Sequence, residues 1–89
     1  MDVIDHAAAH RFELATDAGP AFAAYARECD VVTFTHTVVP PAAEGHGVGS
    51  RLIAGALAQV RAAGLTVVPR CPFVAAYIEK HPEWRDLLA

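Results

Sequence analysis

The clearest element in the chain is Val31 to Val39, VVTFTHTVV, in which almost every residue is β-branched or aromatic and which runs into Pro40-Pro41. That composition predicts a strand, ended where proline can no longer donate to a ladder. Alternation puts Val32, Phe34, His36 and Val38 on one face and Val31, Thr33, Thr35, Thr37 and Val39 on the other. Upstream, His10 to Thr16 alternates loosely around Phe12 and Leu14, Asp17-Ala18-Gly19-Pro20 reads as a turn, and Ala21 to Arg27 carries Phe22 and Tyr25. The alanines of that last segment permit a helix, but its place after a hairpin bend favours a strand.

Downstream the period changes. Val48, Leu52, Ile53, Ala56, Leu57 and Val60 recur at helical spacing, predicting a helix from about Val48 to Ala63 with Gly64 as its stop. Leu65-Thr66-Val67-Val68-Pro69 is a short apolar run between two helical segments, which suggests a strand parallel to the Val31 strand across a β-α-β crossover. Pro72 suits the first position of a last helix with Phe73, Val74, Tyr77 and Ile78 as its buried stripe, and Trp84, Leu87 and Leu88 follow as an apolar lid. The order β-β-β-α-β-α predicts an α+β fold, a mixed sheet with helices packed on it.

At 89 residues, without a repeat or linker, the chain fits one domain over residues 1–89, standing as a monomer or small homo-oligomer. A net charge of −3 argues against a nucleic-acid surface. No stretch approaches the roughly 18 apolar residues of a membrane span. The acidic start, Met1-Asp2-Val3-Ile4-Asp5-His6, does not resemble a signal peptide, so Cys29 and Cys71 are expected as thiols in a reducing cytoplasm. His6 and His10 have i, i+4 spacing but no third ligand; a frayed N-terminus is expected there, and no metal.

Between the strand and the first helix lies Glu44-Gly45-His46-Gly47-Val48-Gly49-Ser50-Arg51. Glycines there allow a ligand to approach the backbone, and the first turn of the helix offers unpaired N–H groups at its positive end, which together suit a phosphate-bearing cofactor. The same glycines could serve only as a tight connection. A nucleotide P-loop is excluded because no lysine precedes Ser50, and a dinucleotide fingerprint because the spacing is Gly-x-Gly-x-Gly after the third strand.

The segment from Val38 to Leu52 resembles motif A of the GCN5-related N-acetyltransferases, whose pattern is Gln/Arg-x-x-Gly-x-Gly/Ala; Glu44 departs from it at the first residue. The string His36-Thr37-Val38-Val39-Pro40-Pro41, the glycine loop, Cys71-Pro72-Phe73 and His81-Pro82-Glu83-Trp84 together resemble the very small single-domain branch of that superfamily, the YidJ-like and NATD1-like proteins. The resemblance implies acetyl-CoA as cosubstrate. It nominates backbone groups of Val38 and Val39 for pantetheine and those of Gly45, His46, Gly47, Val48, Gly49 and Ser50 for pyrophosphate, with Arg51 and Arg70 as partners for the remaining phosphates or as solvated surface residues.

Acetyl transfer to an amine needs a free amine, a stabilised oxyanion and a protonated leaving thiolate. Three residues are candidates. Tyr77, before Ile78-Glu79-Lys80, resembles the superfamily's tyrosine that protonates the leaving group, or is a core tyrosine. Cys71, expected at the N-cap of the last helix, is an acyl-accepting thiol, a polar group facing the thioester or a packed structural cysteine. His36, two residues before the bulge that the resemblance implies, is a general base or a structural imidazole. Only a four-residue turn stands where larger members carry a helical pair, so the acceptor side should be open and suited to a macromolecular amine such as a lysine or chain terminus. The expected function is acetyl-CoA-dependent N-acetyl transfer; the alternative is a CoA- or acyl-CoA-binding module without efficient catalysis.

Overall fold

The computed structural model describes residues 3–89; Met1 and Asp2, the first residues of the acidic start, lie outside them. Five strands form a sheet in the order β1-β2-β3-β4-β5, namely β1 Ile4–His6, β2 Arg11–Leu14, β3 Ala21–Glu28, β4 Val31–Val38 and β5 Thr66–Pro69. Neighbours are antiparallel except β4 and β5, which are parallel and joined through helix α1, Val48–Ala62. Helix α2, Pro72–Lys80, follows β5 and packs on β4 and β5, whereas α1 lies across β2 to β5. The expected α+β architecture is the observed one, with β1 added in front.

The buried face of the sheet carries Phe12 and Leu14 from β2, Ala21, Ala23 and Tyr25 from β3, and Val32 and Phe34 from β4. Phe12 lies against both Tyr25 and Phe34, with ring centroids 5.1 and 6.0 Å apart. On α1 every apolar residue of the helical stripe is buried, and full burial of Leu52, Ile53 and Leu57 stabilises the fold by roughly 1.5–3 kcal/mol each. The helix ends in a Schellman motif: Gly64 adopts φ +73°, its N–H donates to Arg61 O, and Leu65 N–H reaches back to Val60 O. None of the helices among the described residues is long and apolar enough to cross a membrane.

Three expectations change. In β4, His36 lies opposite Ala24 but Phe34 lies opposite Tyr25, so Thr35 bulges out of the ladder, one residue before His36 and not two after it as expected. Past the bulge the alternation reverses: His36 and Val38 do not share the buried face of Val32 and Phe34 but are exposed, and Thr37 takes the place opposite buried Ala23. Second, Phe73 is not buried with Val74 and Ile78; it is 43% exposed. Third, the segment expected to fray is ordered from Val3 onward. β1 pairs with β2, Ala7–Ala9 form a 3-10 turn, and Gln59 Nε2 donates to Val3 O at 2.7 Å. Val3 packs so closely on Gly55 that a Cβ there would collide with it, which accounts for a glycine in the middle of α1.

The C-terminal stretch, a 3-10 helix over Pro82–Leu87, is tied to α1 by Arg61, which stacks on Trp84, donates to Glu83 O at 2.8 Å and pairs with Asp86. Of the expected lid, Leu87 is buried and Leu88 exposed. Ala89 N–H donates to Val67 O, covering the far edge of β5.

Candidate functional site

Strands β4 and β5 part company after Phe34. Their last paired residues are Phe34 and Pro69, and one more bond follows, Cys71 N–H to Phe34 O at 2.9 Å. Pro72 then turns the chain into α2 as its first helical residue. β4 continues to Val38 with β3 beside it and, among the described residues, no partner on the β5 side. The end of β4 thus presents a free backbone edge beside the N-termini of α1 and α2.

The glycine loop closes this notch, and its glycines do different things. Gly45 and Gly47 stand at φ +83° and +72°, the left-handed region that L side chains adopt at a cost. Nothing lies within 4 Å of where a Cβ would stand at either position, so the space beside the loop is open. Gly47 is also the N-cap of α1 and has no side chain to cap it. The first bond back into the helix is Arg51 N–H to Gly47 O at 3.0 Å, which leaves the N–H groups of Val48, Gly49 and Ser50 without a partner among the described residues. Gly49 has another role. A Cβ there would stand 2.6 Å from Cζ of Phe73, so this glycine lets the Phe73 ring lie on the first turn of α1. The result is a cleft of about 410 Å³, walled by Thr37 and Val39 of the β4 end, Gly45 and Gly47 of the loop, Ser50, and the Phe73 ring.

The three candidate catalytic residues are not gathered in that cleft. Cys71 is closest: it caps α2, is 3% exposed, and its Sγ lies 3.4 Å from Oγ1 of Thr37, which does line the cleft. Tyr77 faces an adjoining groove with Ser50, Phe73, Lys80 and His81, its ring stacked on His81 at 4.1 Å. His81 Nδ1 donates to Tyr77 O, so this pair finishes α2. His36 is carried by the bulge to the exposed face, edge-on to Phe22 at 5.9 Å. Cross-strand pairing sets Arg11, Ala24 and His36 in one row of that face, and the Arg11 guanidinium lies over Phe22. His46 and Arg51 are exposed and line a second cavity of about 500 Å³ with Thr16 and Asp17, sharing Ala43 and Val48 with the cleft. Arg70 is exposed, and Val38 presents its side chain to solvent, leaving only backbone for the cleft.

Thr37, Phe73 and His81 are cleft or groove residues that sequence reasoning did not single out for a role. A strictly alternating strand hides Thr37, because only the bulge turns it inward. The signal for Phe73 was Gly49, a third glycine where a turn needs one or two.

Residues 11–87 match the sequence family of the GCN5-related N-acetyl-transferases. The chain belongs to this family. The match begins at the first residue of β2 and ends at buried Leu87, so β1 lies outside it. A search of curated proteins finds no match. Members of the family transfer acetyl groups from acetyl-CoA, and the notch fits such a cosubstrate: free N–H groups and open glycines for a pyrophosphate, and a free strand edge for an amide-bearing arm. Among the described residues, no group of three or more His, Cys, Asp and Glu side chains comes together to hold a metal ion.

Proposed function

We propose that the protein is an acetyl-CoA-dependent N-acetyltransferase, folded as one domain over residues 1–89 and of the very small single-domain branch of its superfamily. The observation that carries this reading is the open notch after Phe34, bordered by Gly45 and Gly47 in the left-handed conformation and by the unpartnered N–H groups of Val48, Gly49 and Ser50. In this reading those N–H groups hold the pyrophosphate, with the loop from Gly45 to Ser50 wrapped around it, and the backbone of Val38 and Val39 aligns pantetheine as an added strand. Arg51, exposed beside the loop, supplies a cationic partner for an outer phosphate, and exposed His46 contacts phosphate from the loop itself. When bound, acetyl-CoA supplies the acetyl thioester; the chain binds and orients it, and excludes water with the Phe73 ring.

The acceptor in this reading is an amine on a macromolecule, a protein lysine or N-terminus. Its support is the connection between β2 and β3, which is no more than a turn through Asp17 and Gly19, with no helical pair to enclose an acceptor. The free thiols of Cys29 and Cys71 agree with a cytoplasmic setting.

A second reading, a CoA- or acyl-CoA-binding module without efficient catalysis, draws on three observations: Cys71 is buried behind Thr37, Tyr77 is stacked on His81, and His36 faces Phe22. Steady-state CoA release from acetyl-CoA, with amine-bearing peptides as acceptors, separates the two. For the enzyme, CoA release depends on the acceptor peptide and Cys71→Ala slows it about threefold, whereas Tyr77→Phe and His36→Ala leave it within about twofold. Binding of CoA with no acetyl transfer to any peptide favours the module.

A further inference from the structure

The bulge at Thr35 brings Thr37 to the side of the sheet where Cys71 and the cleft lie. Thr37 lines the cleft, and its Oγ1 sits 3.4 Å from Cys71 Sγ. The other polar side chains of the cleft, Glu44 and Ser50, belong to the glycine loop and the first turn of α1, the end read above as the pyrophosphate site. Among the described residues, Thr37 is therefore the only side-chain hydroxyl at the β4 end of the lining. Cys71 lies behind it, 3% exposed, with its backbone N–H anchored on Phe34 O.

We propose that Thr37 donates a hydrogen bond to the sulfur of CoA during acetyl transfer, and that Cys71 is a positioning residue which orients the Thr37 hydroxyl. This rests on the reading of the notch as the acetyl-CoA site. In the transfer the acceptor nitrogen forms the C–N bond, the C–S bond breaks, and its electron pair stays on the CoA sulfur. The amine's proton leaves to solvent, and the sulfur takes one from solvent. Thr37 keeps its own proton throughout and shares it with the developing thiolate, an ionic acceptor and so a strong one. With the Cys71 S–H donating to a lone pair of Thr37 Oγ1, the Thr37 O–H is left to face the cleft.

The test reads the ionisation of the CoA thiol in the complex, which requires no acceptor. The thiolate is followed by its ultraviolet absorbance, and the same protein loaded with desulfo-CoA serves as the blank, cancelling Cys29, Cys71, Tyr25 and Tyr77. Glu44 lines the cleft, Cys71 lies behind Thr37, His46 and Arg51 stand in the adjoining cavity and Tyr77, Lys80 and His81 in the adjoining groove, and the Thr37 variants replace none of these titratable side chains. Thr37→Val lowers the acid dissociation constant of the bound thiol about tenfold, and Thr37→Ser restores it to within about twofold. Cys71→Ala lowers it about threefold and Cys71→Ser recovers it, which loss of packing alone would not produce. Thr37→Ala is the second hydroxyl-free variant should the valine not fold. Unchanged thiol ionisation in both hydroxyl-free variants, with CoA still bound, overturns this proposal and leaves the CoA site standing. Failure of the unaltered protein to bind CoA overturns both.

Discussion

Cys29 stands at φ +53° in the tight turn between β3 and β4, a conformation that costs a residue with a Cβ about 1–2 kcal/mol. Cys29→Gly should therefore raise stability by about 0.5–1 kcal/mol in urea denaturation, the relief of strain exceeding glycine's extra chain entropy. Tyr25 is the residue that links stability to pH. Burial first, then its hydrogen bond to Asp5 Oδ1 at 2.6 Å, pushes its phenol from 10.0 up to about 12. An acid whose folded value is raised contributes fully below the unfolded value, so this contribution is intact below pH 10 and is lost as pH climbs through about 12. Unfolding free energies across that interval should fall for the unaltered protein and fall less steeply for Tyr25→Phe. At this scale the sequence was least legible where one residue depended on a distant partner. Alternation alone could not place Thr35 in a bulge, because the bulge follows from the register between β3 and β4. Phe73 read as part of a buried stripe because its seat, the bare Cα of Gly49, lies on another helix.

The elements themselves were nearly all readable. α1 was written in its apolar spacing and its Gly64 stop, and β5 and α2 in a short apolar run followed by Cys71-Pro72. β1 was missed because three alanines between His6 and His10 look like fraying helix, whereas its strand pairing and the contact of Val3 with Gly55 are tertiary. Gly55→Ala should unseat Val3, so amide exchange in Ile4–His6 should accelerate while global stability changes little, the lost contact being offset by alanine's helix propensity of about 1 kcal/mol. The join between α1 and α2 has its own test in a double-mutant cycle. Gly49→Ala should cost about 1–2 kcal/mol with Phe73 present and be neutral or stabilising in a Phe73→Ala background. Additive effects would mean that the ring does not rest on Gly49.

At the scale of the whole molecule, the fold brings three chain features to one place: the end of β4, the glycine loop and the N-terminus of α2. Each exists because a proline or glycine interrupts the regular structure there, Pro40 after β4, Gly47 before α1 and Pro72 as the first residue of α2. That much of the candidate site was visible along the chain, since glycines and prolines act locally. Which side chains meet inside it was not, and the placement of Cys71 behind Thr37 emerges only once β4 and β5 diverge. The account depends on the notch being a CoA site, and calorimetric titration with acetyl-CoA, CoA, NAD and ATP in parallel tests this most directly. Binding of acetyl-CoA and CoA in the micromolar range, with NAD and ATP at least about a hundredfold weaker, is the predicted result. Absence of CoA binding, or equal binding of all four, would contradict it and leave Gly45 and Gly47 as residues of a structural turn.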